Sequence, residues 1–231
     1  MTMNLLELSD YTLAPAGSGN GISGFYFTLK PGDVCLIDSP QPDDASLFMR
    51  ALATLVRPVK GVYTFMGRKH DLRRYEDMLC CKQKIGYVAP DAALISNLTI
   101  RQNLMLQRFY HEEQLDIDLA QNVLDMCVDF GIADKLDLRP AGLRPLEVQA
   151  AIIIREITKQ PAFLLLGQPE DYVEHTRYDL MVQIFNQLVA DRVPMVLRSN
   201  DQLLAKRYAN RKVLITNGSL ISVPIKASQD Q

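Results

Sequence analysis

The segment Asp38-Ser39-Pro40-Gln41-Pro42-Asp43-Asp44-Ala45-Ser46 joins an apolar stretch, Val34 to Ile37, to an apolar-periodic one, Leu47 to Val56. A loop of this length between strand and helix is where G-x-x-x-x-G-K-[ST] cradles a polyphosphate in backbone N–H groups. Asp38 and Asp43 stand at the glycine positions of that pattern, Asp44 at the lysine and Ala45 at the magnesium hydroxyl, with Ser46 next. Glycine serves there because a side chain blocks the close approach of the backbone, and Asp38, Gln41 and Asp43 each add one. Two like charges about 4 Å apart repel by about 1 kcal/mol in water and about 4 kcal/mol near a protein surface. Carboxylates facing a polyphosphate would therefore weaken its binding severely. Asp43 or Asp44 is also expected to cap the following helix, where acidic groups suit the dipole.

The elements that must position this loop follow from pattern. Leu5 to Leu8 and Phe25 to Leu29 are expected strands, with the glycine-rich Gly17-Ser18-Gly19-Asn20-Gly21 as a hairpin turn between them. Lys30-Pro31-Gly32-Asp33 turns into the buried strand at Val34. Strands follow at Val62 to Phe65 and Ile85 to Val88, with helical spacing over Asp71 to Lys82. Thr99 to Gly131 is helical throughout, an insertion rather than part of a sheet. A helix over Leu146 to Lys159, a strand over Phe163 to Leu166, a helix over Tyr178 to Ala190 and a strand over Met195 to Leu197 come next. A helix over Gln202 to Tyr208 precedes two strands, Lys212 to Ile215 and Leu220 to Val223, around Asn217-Gly218. The alternation predicts an α/β fold with a mainly parallel sheet covered on both faces.

With 231 residues the chain suits one domain with a subdomain, and 48% hydrophobic residues supply an ample core. A net charge of -2 argues against nucleic acid as partner. The four cysteines (Cys35, Cys80, Cys81, Cys127) lack metal-ligand spacing and suit reduced thiols of a cytosolic protein. No leader is expected at the start, and no apolar run approaches the roughly 20 residues that span a bilayer. Any membrane role is expected to come through partners.

The order of these landmarks resembles an ATP-binding-cassette (ABC) transporter nucleotide-binding domain over nearly the whole chain. Phe27 to Asp33 is similar to the strand and turn before that family's Walker A loop, and Arg57-Pro58-Val59-Lys60-Gly61 to its R-P-x-x-G. Ile85 to Val88 resembles the strand before the Q-loop, whose glutamine would be Pro90. The signature L-S-G-G-Q would be Leu143-Arg144-Pro145-Leu146-Glu147. The Walker B segment would be Leu164-Leu165-Leu166-Gly167-Gln168-Pro169, and the H-loop histidine Asn200. Lys212 to Ser222 is similar to the closing strand-turn-strand.

The resemblance implies a P-loop NTPase-like cassette with an N-terminal antiparallel β subdomain and a helical insertion. The expected layout is a single domain over 1–226, with 1–90 and 160–226 as core and 91–159 helical, and a tail over 227–231. It also implies that every position doing chemistry is altered. Pro90 has no amide for magnesium, and Gly167 lacks the Walker B carboxylate. Gln168 is a poor base, and Asn200 replaces the histidine. Leu146 and Glu147 crowd the signature. The expectation is a cassette that is no enzyme, with no catalytic residues, no metal site, and ATP and magnesium binding absent or very weak.

Such a subunit would serve a membrane transport complex in a structural or regulatory role. Alternatives are a weak or partner-complemented ATPase energising transport, and a soluble self-associating module. The implied partners are a transmembrane permease and a second cassette, as homo- or heterodimer, peripheral on the cytoplasmic side of the inner membrane. Leu94, Ile95, Leu98 and Ile100 are the candidate permease contacts, in a segment, Ala93 to Asn103, most similar to cassettes of bacterial lipid-trafficking systems. Tyr11 is a candidate for stacking on a base, although the spacing fits Pro15 as well.

Overall fold

The computed structural model describes residues 4–111, 118–172 and 178–225; the expected tail at 227–231 lies outside them. Leu6–Leu13 (β1) and Ile22–Leu29 (β2) pair antiparallel, β1 also pairs with Lys60–Phe65 (β4), and β4 with Arg68–His70 (β5). The resulting sheet runs β2-β1-β4-β5. The second sheet contains Val34–Asp38 (β3), Ile85–Val88 (β6), Phe163–Gly167 (β7), Met195–Arg198 (β8), Arg211–Thr216 (β9) and Ser219–Pro224 (β10). Its order is β10-β9-β3-β8-β7-β6, parallel from β9 to β6, with β10 antiparallel at one edge. Parallel strands are covered on both faces and so read as continuous apolar runs. Phe163-Leu164-Leu165-Leu166, buried at every position, is such a run.

Helix Pro42–Leu52 (α1) lies between the two sheets, and Phe48 meets Phe25 and Phe27 edge-on at centroid distances of 5.9 and 5.1 Å. A second core gathers Ile100–His111 (α3), Gln121–Asp129 (α4), Pro145–Thr158 (α5) and Tyr178–Ala190 (α6) against the other face of the large sheet. No helix among the described residues is long and apolar enough to cross a membrane.

Two boundaries differ from expectation for local reasons. Helix α1 starts at Pro42, ahead of the expected Leu47, because proline at N1 presets the helical φ and Asp43 and Asp44 suit the first turn. It ends at Leu52, and Thr54 turns left-handed at φ 59°. Helix α2 spans Tyr75–Lys84 and does not begin at Asp71. The Asp71 carboxylate instead accepts from the Arg73 amide (3.0 Å) and from the Arg73 guanidinium (2.9 and 3.0 Å), closing a turn in place of a helix start. The short strand β5 was not expected from the sequence.

Candidate functional site

Parallel strands present their carboxyl ends on one edge, where ligands of open α/β sheets collect. Asp38 of β3, Arg198 of β8 and Gly167 of β7 end side by side there, with Leu36 opposite Leu197 and Gly167 opposite Arg198. The loop after β3 is short. The Ser39 hydroxyl donates to the Gln41 carbonyl at 2.8 Å and accepts from the Gln41 amide at 3.3 Å, which brings the chain into α1. Asp38 leaves this edge sideways, paired with Lys212 at 2.7 Å.

Asp43 and Asp44 do not cap α1. Gln41 is the N-cap residue, with no side-chain cap bond, and the two aspartates lie within the first turn. Their carboxylates turn to the loop between β1 and β2. Asp43 Oδ2 accepts from the Ser18 amide at 2.7 Å and the Ser18 hydroxyl at 2.8 Å, and Asp44 Oδ1 accepts from the Gly21 amide at 3.0 Å. Asp44 is buried, at 1% exposed. The glycines of the loop make this fit possible. A Cβ on Gly17 would stand 2.5 Å from Asp43 Oδ2, and one on Gly19 2.4 Å from Asp44 Oδ1. The cluster expected only as a flexible turn is therefore an anion cradle whose anions belong to the chain itself. The Ser18 amide, then its hydroxyl, hold the Asp43 carboxyl below its ordinary value of 3.8. The contact is thus complete above 3.8 and is lost as pH falls through the lower folded value. The Ser18 amide resonance is expected to titrate with a midpoint below 3.8; a midpoint at or above it would contradict the contact.

Ala45 is buried and can supply no hydroxyl, whereas Ser46 Oγ, one residue on, lies 3.4 Å from Arg198 Nη1. Gly167 and Pro90 are packed together. A Cβ at 167 would approach Pro90 Cδ to 2.8 Å and Cγ to 3.0 Å, so the edge has no room for an aspartate while proline stands opposite. Gln168 adopts a left-handed φ of 59° and its amide donates to the Arg198 carbonyl at 2.6 Å. Asn200 contributes its backbone: its amide donates to Glu170 Oε1 at 2.6 Å, and the Ser199 hydroxyl donates to Glu170 Oε2 at 2.8 Å.

In the signature segment, Leu143 is half-buried while Arg144, Pro145 and Leu146 are exposed. Glu147, expected to crowd the signature, is buried. Its carboxylate pairs with Lys135, accepts from the Arg144 amide at 2.9 Å and binds Arg144 Nε at 2.7 Å. Lys135, then the Arg144 amide, bring its carboxyl down to about 2.

Among the expected permease contacts, Leu94 and Ile100 are interior, at 8% and 0% exposed, and Ile95 is exposed at 45%. Leu98 is half-buried. The Asn103 side chain ties this segment to α3, accepting from the Ile95 amide at 2.8 Å and donating to the Ile95 and Thr99 carbonyls at 3.0 Å. Tyr11 lies wholly in the core, 5.6 Å from Phe25, so its ring is not available to stack on a base.

Four participants escaped sequence reasoning: the Ser18 and Gly21 amides, Glu170, and Arg198. Only Arg198 left a usable signal, a charge directly after the buried run Met195-Val196-Leu197.

The edge fits the phosphates of a nucleotide better than it fits a protein-held magnesium ion. Arg198, Ser46 and the first turn of α1 face one another. Among the described residues, however, no group of three His, Cys, Asp or Glu could hold a metal.

No protein-family model matches the chain. It is 24% identical over 197 residues to the uncharacterized ABC transporter ATP-binding protein YvrO of Bacillus subtilis, covering 84% of each chain. It is also 24% identical over 199 residues to the glutamine transport ATP-binding protein GlnQ of the same organism, covering 86% of this chain and 82% of the relative. The structure matches a dimeric post-hydrolysis cassette, MJ0796 bound to ADP and Pi, with TM-score 0.80, 17% identity, and coverage of 96% of this chain and 99% of the other. The relatives and structural neighbours are ATP-binding cassette domains of ABC transporters, and the α/β cassette fold with its antiparallel β subdomain is present as expected.

These findings overturn two expectations: that the chain is no enzyme, and that it takes neither ATP nor magnesium. The relatives are named as ATP-binding proteins and the solved neighbour holds ADP and Pi. The physical error lay in aiming Asp43 and Asp44 at the ligand. Both carboxylates are engaged by donors of the 17–21 loop, and the Arg198 guanidinium stands beside Ser46 of α1.

Proposed function

We propose that this chain is the nucleotide-binding subunit of a membrane transport complex, an ABC-type cassette whose ATP turnover is weak alone and completed by a partner. The observation that carries the reading is the match to ATP-binding transport subunits along most of the chain, joined to the strand edge where Gly167 lies opposite Arg198 and Arg198 reaches Ser46 of α1. Two features support dependence on a partner. Position 167 offers no carboxylate, and Gln168 offers an amide where a carboxylate would polarise water. A second cassette and a transmembrane permease are the partners proposed, with attachment to the membrane through the permease. GlnQ is named for glutamine transport and the lipid-type resemblance rests on residues 93–103 alone, so the cargo stays unassigned within the proposal.

The permease would contact the segment before α3 through Ile95 and the exposed part of Leu98. Co-expression with its membrane permease should yield a complex that hydrolyses ATP faster than the isolated chain. Ile95→Asp should abolish co-purification without lowering the melting temperature, because the side chain is outside the core. A chain that stays alone, or a complex with no ATPase activity above background, would refute the proposal.

A further inference from the structure

Arg198 is a half-buried cation at the carboxyl end of β8, the strand between β3 and β7. Among the described residues it has no carboxylate within ion-pair distance; its one side-chain hydrogen bond is from Nη1 to Ser46 Oγ at 3.4 Å. Partial burial removes water from a guanidinium, and such groups are ordinarily paired. Asp43 is near enough for Arg198 to favour its ionised form, yet it spends its carboxylate on Ser18 instead. The charge is thus held beside an 11-residue helix and, among the described residues, is not taken up by an acidic side chain.

Position 44, where a phosphate-binding lysine would be, is an aspartate that is buried and facing the other way. A guanidinium is permanently charged and offers a planar fork of donors that meets phosphate oxygens two at a time. Arriving from the end of β8, it reaches Ser46 in the N-terminal half of α1. Ser46 Oγ, already beside it, would share the same oxygens.

We infer that Arg198 is the phosphate-binding cation of this cassette, holding the outer phosphates of the nucleotide from β8 in place of a loop lysine. This inference rests on the function proposed above and assigns its site a residue.

Calorimetric titration of the full chain with magnesium-ATP and with inorganic tripolyphosphate tests it. Arg198→Ala should weaken both ligands about ten- to hundredfold, the value of a charge-assisted contact converted to affinity. Arg198→Lys should fall between variant and wild type, keeping the charge and losing the fork; it also serves if the alanine variant folds poorly. Affinities of both variants within about twofold of wild type would overturn the inference and leave the proposed function standing. A wild-type chain that binds neither ligand at millimolar concentration would overturn both.

Discussion

Gly167→Asp, the substitution that would restore a carboxylate to the strand edge, is expected to destabilise this protein. The added Cβ would press to 2.8 Å against Pro90 Cδ, and both flanking strands are buried, so the side chain cannot swing away. Overpacking costs about 1–3 kcal/mol, and the Arg198 guanidinium on the neighbouring strand offsets part of the cost of burying the new carboxylate. At about 2–4 °C per kcal/mol for a chain of this size, the melting temperature should fall by about 2–12 °C. Adding Pro90→Ala removes the colliding ring and should recover the steric part, making the pair non-additive. Additive effects of the two substitutions, or an unchanged melting temperature in Gly167→Asp, would show that the contact does not govern this edge.

The double substitution Asp43→Gly with Asp44→Lys should cost a comparable amount. It removes three hydrogen bonds that hold the 17–21 loop on α1 and leaves the buried Gly21 amide without its acceptor. Each such bond contributes about 0.5–1.5 kcal/mol, and an unpaired buried donor costs about 1–3 kcal/mol. A total of about 3 kcal/mol lowers the melting temperature by about 6–12 °C. The loop should also become the first site of proteolytic cleavage. Although the exchange moves the sequence toward the P-loop pattern, it is not expected to tighten nucleotide binding by itself, because α1 would still begin at Pro42. Unchanged stability would mean that the aspartates do not fasten the loop.

The sheet was legible because its strands are signalled by composition and spacing. Phe163 to Leu166 is a buried parallel strand by its apolar run, and Asn217-Gly218 fixes the last hairpin through two left-handed residues, at φ 48° and 76°. The family resemblance was legible for the same reason: landmark segments keep their order even when their side chains change. What those side chains do was less legible, because direction is a tertiary property. Asp43 and Asp44 occupy phosphate-site positions in the sequence, yet they bind amides 25 and 23 residues earlier. Their charges therefore say little about repulsion until the loop opposite is known. Likewise, Pro90 and Gly167 look like two independent losses, and only packing reveals that each makes room for the other. Tyr11 and Glu147 show the same limit, one absorbed by the core and the other by Lys135 and Arg144.

A structure of the chain with its membrane and cassette partners, determined with a non-hydrolysable magnesium-ATP analogue, tests the account most directly. Phosphate density is expected at the N-terminal end of α1 between Ser46 and Arg198, with Asp43 and Asp44 still on Ser18 and Gly21. An assembled complex with this edge empty and nucleotide bound only by the other cassette would contradict it.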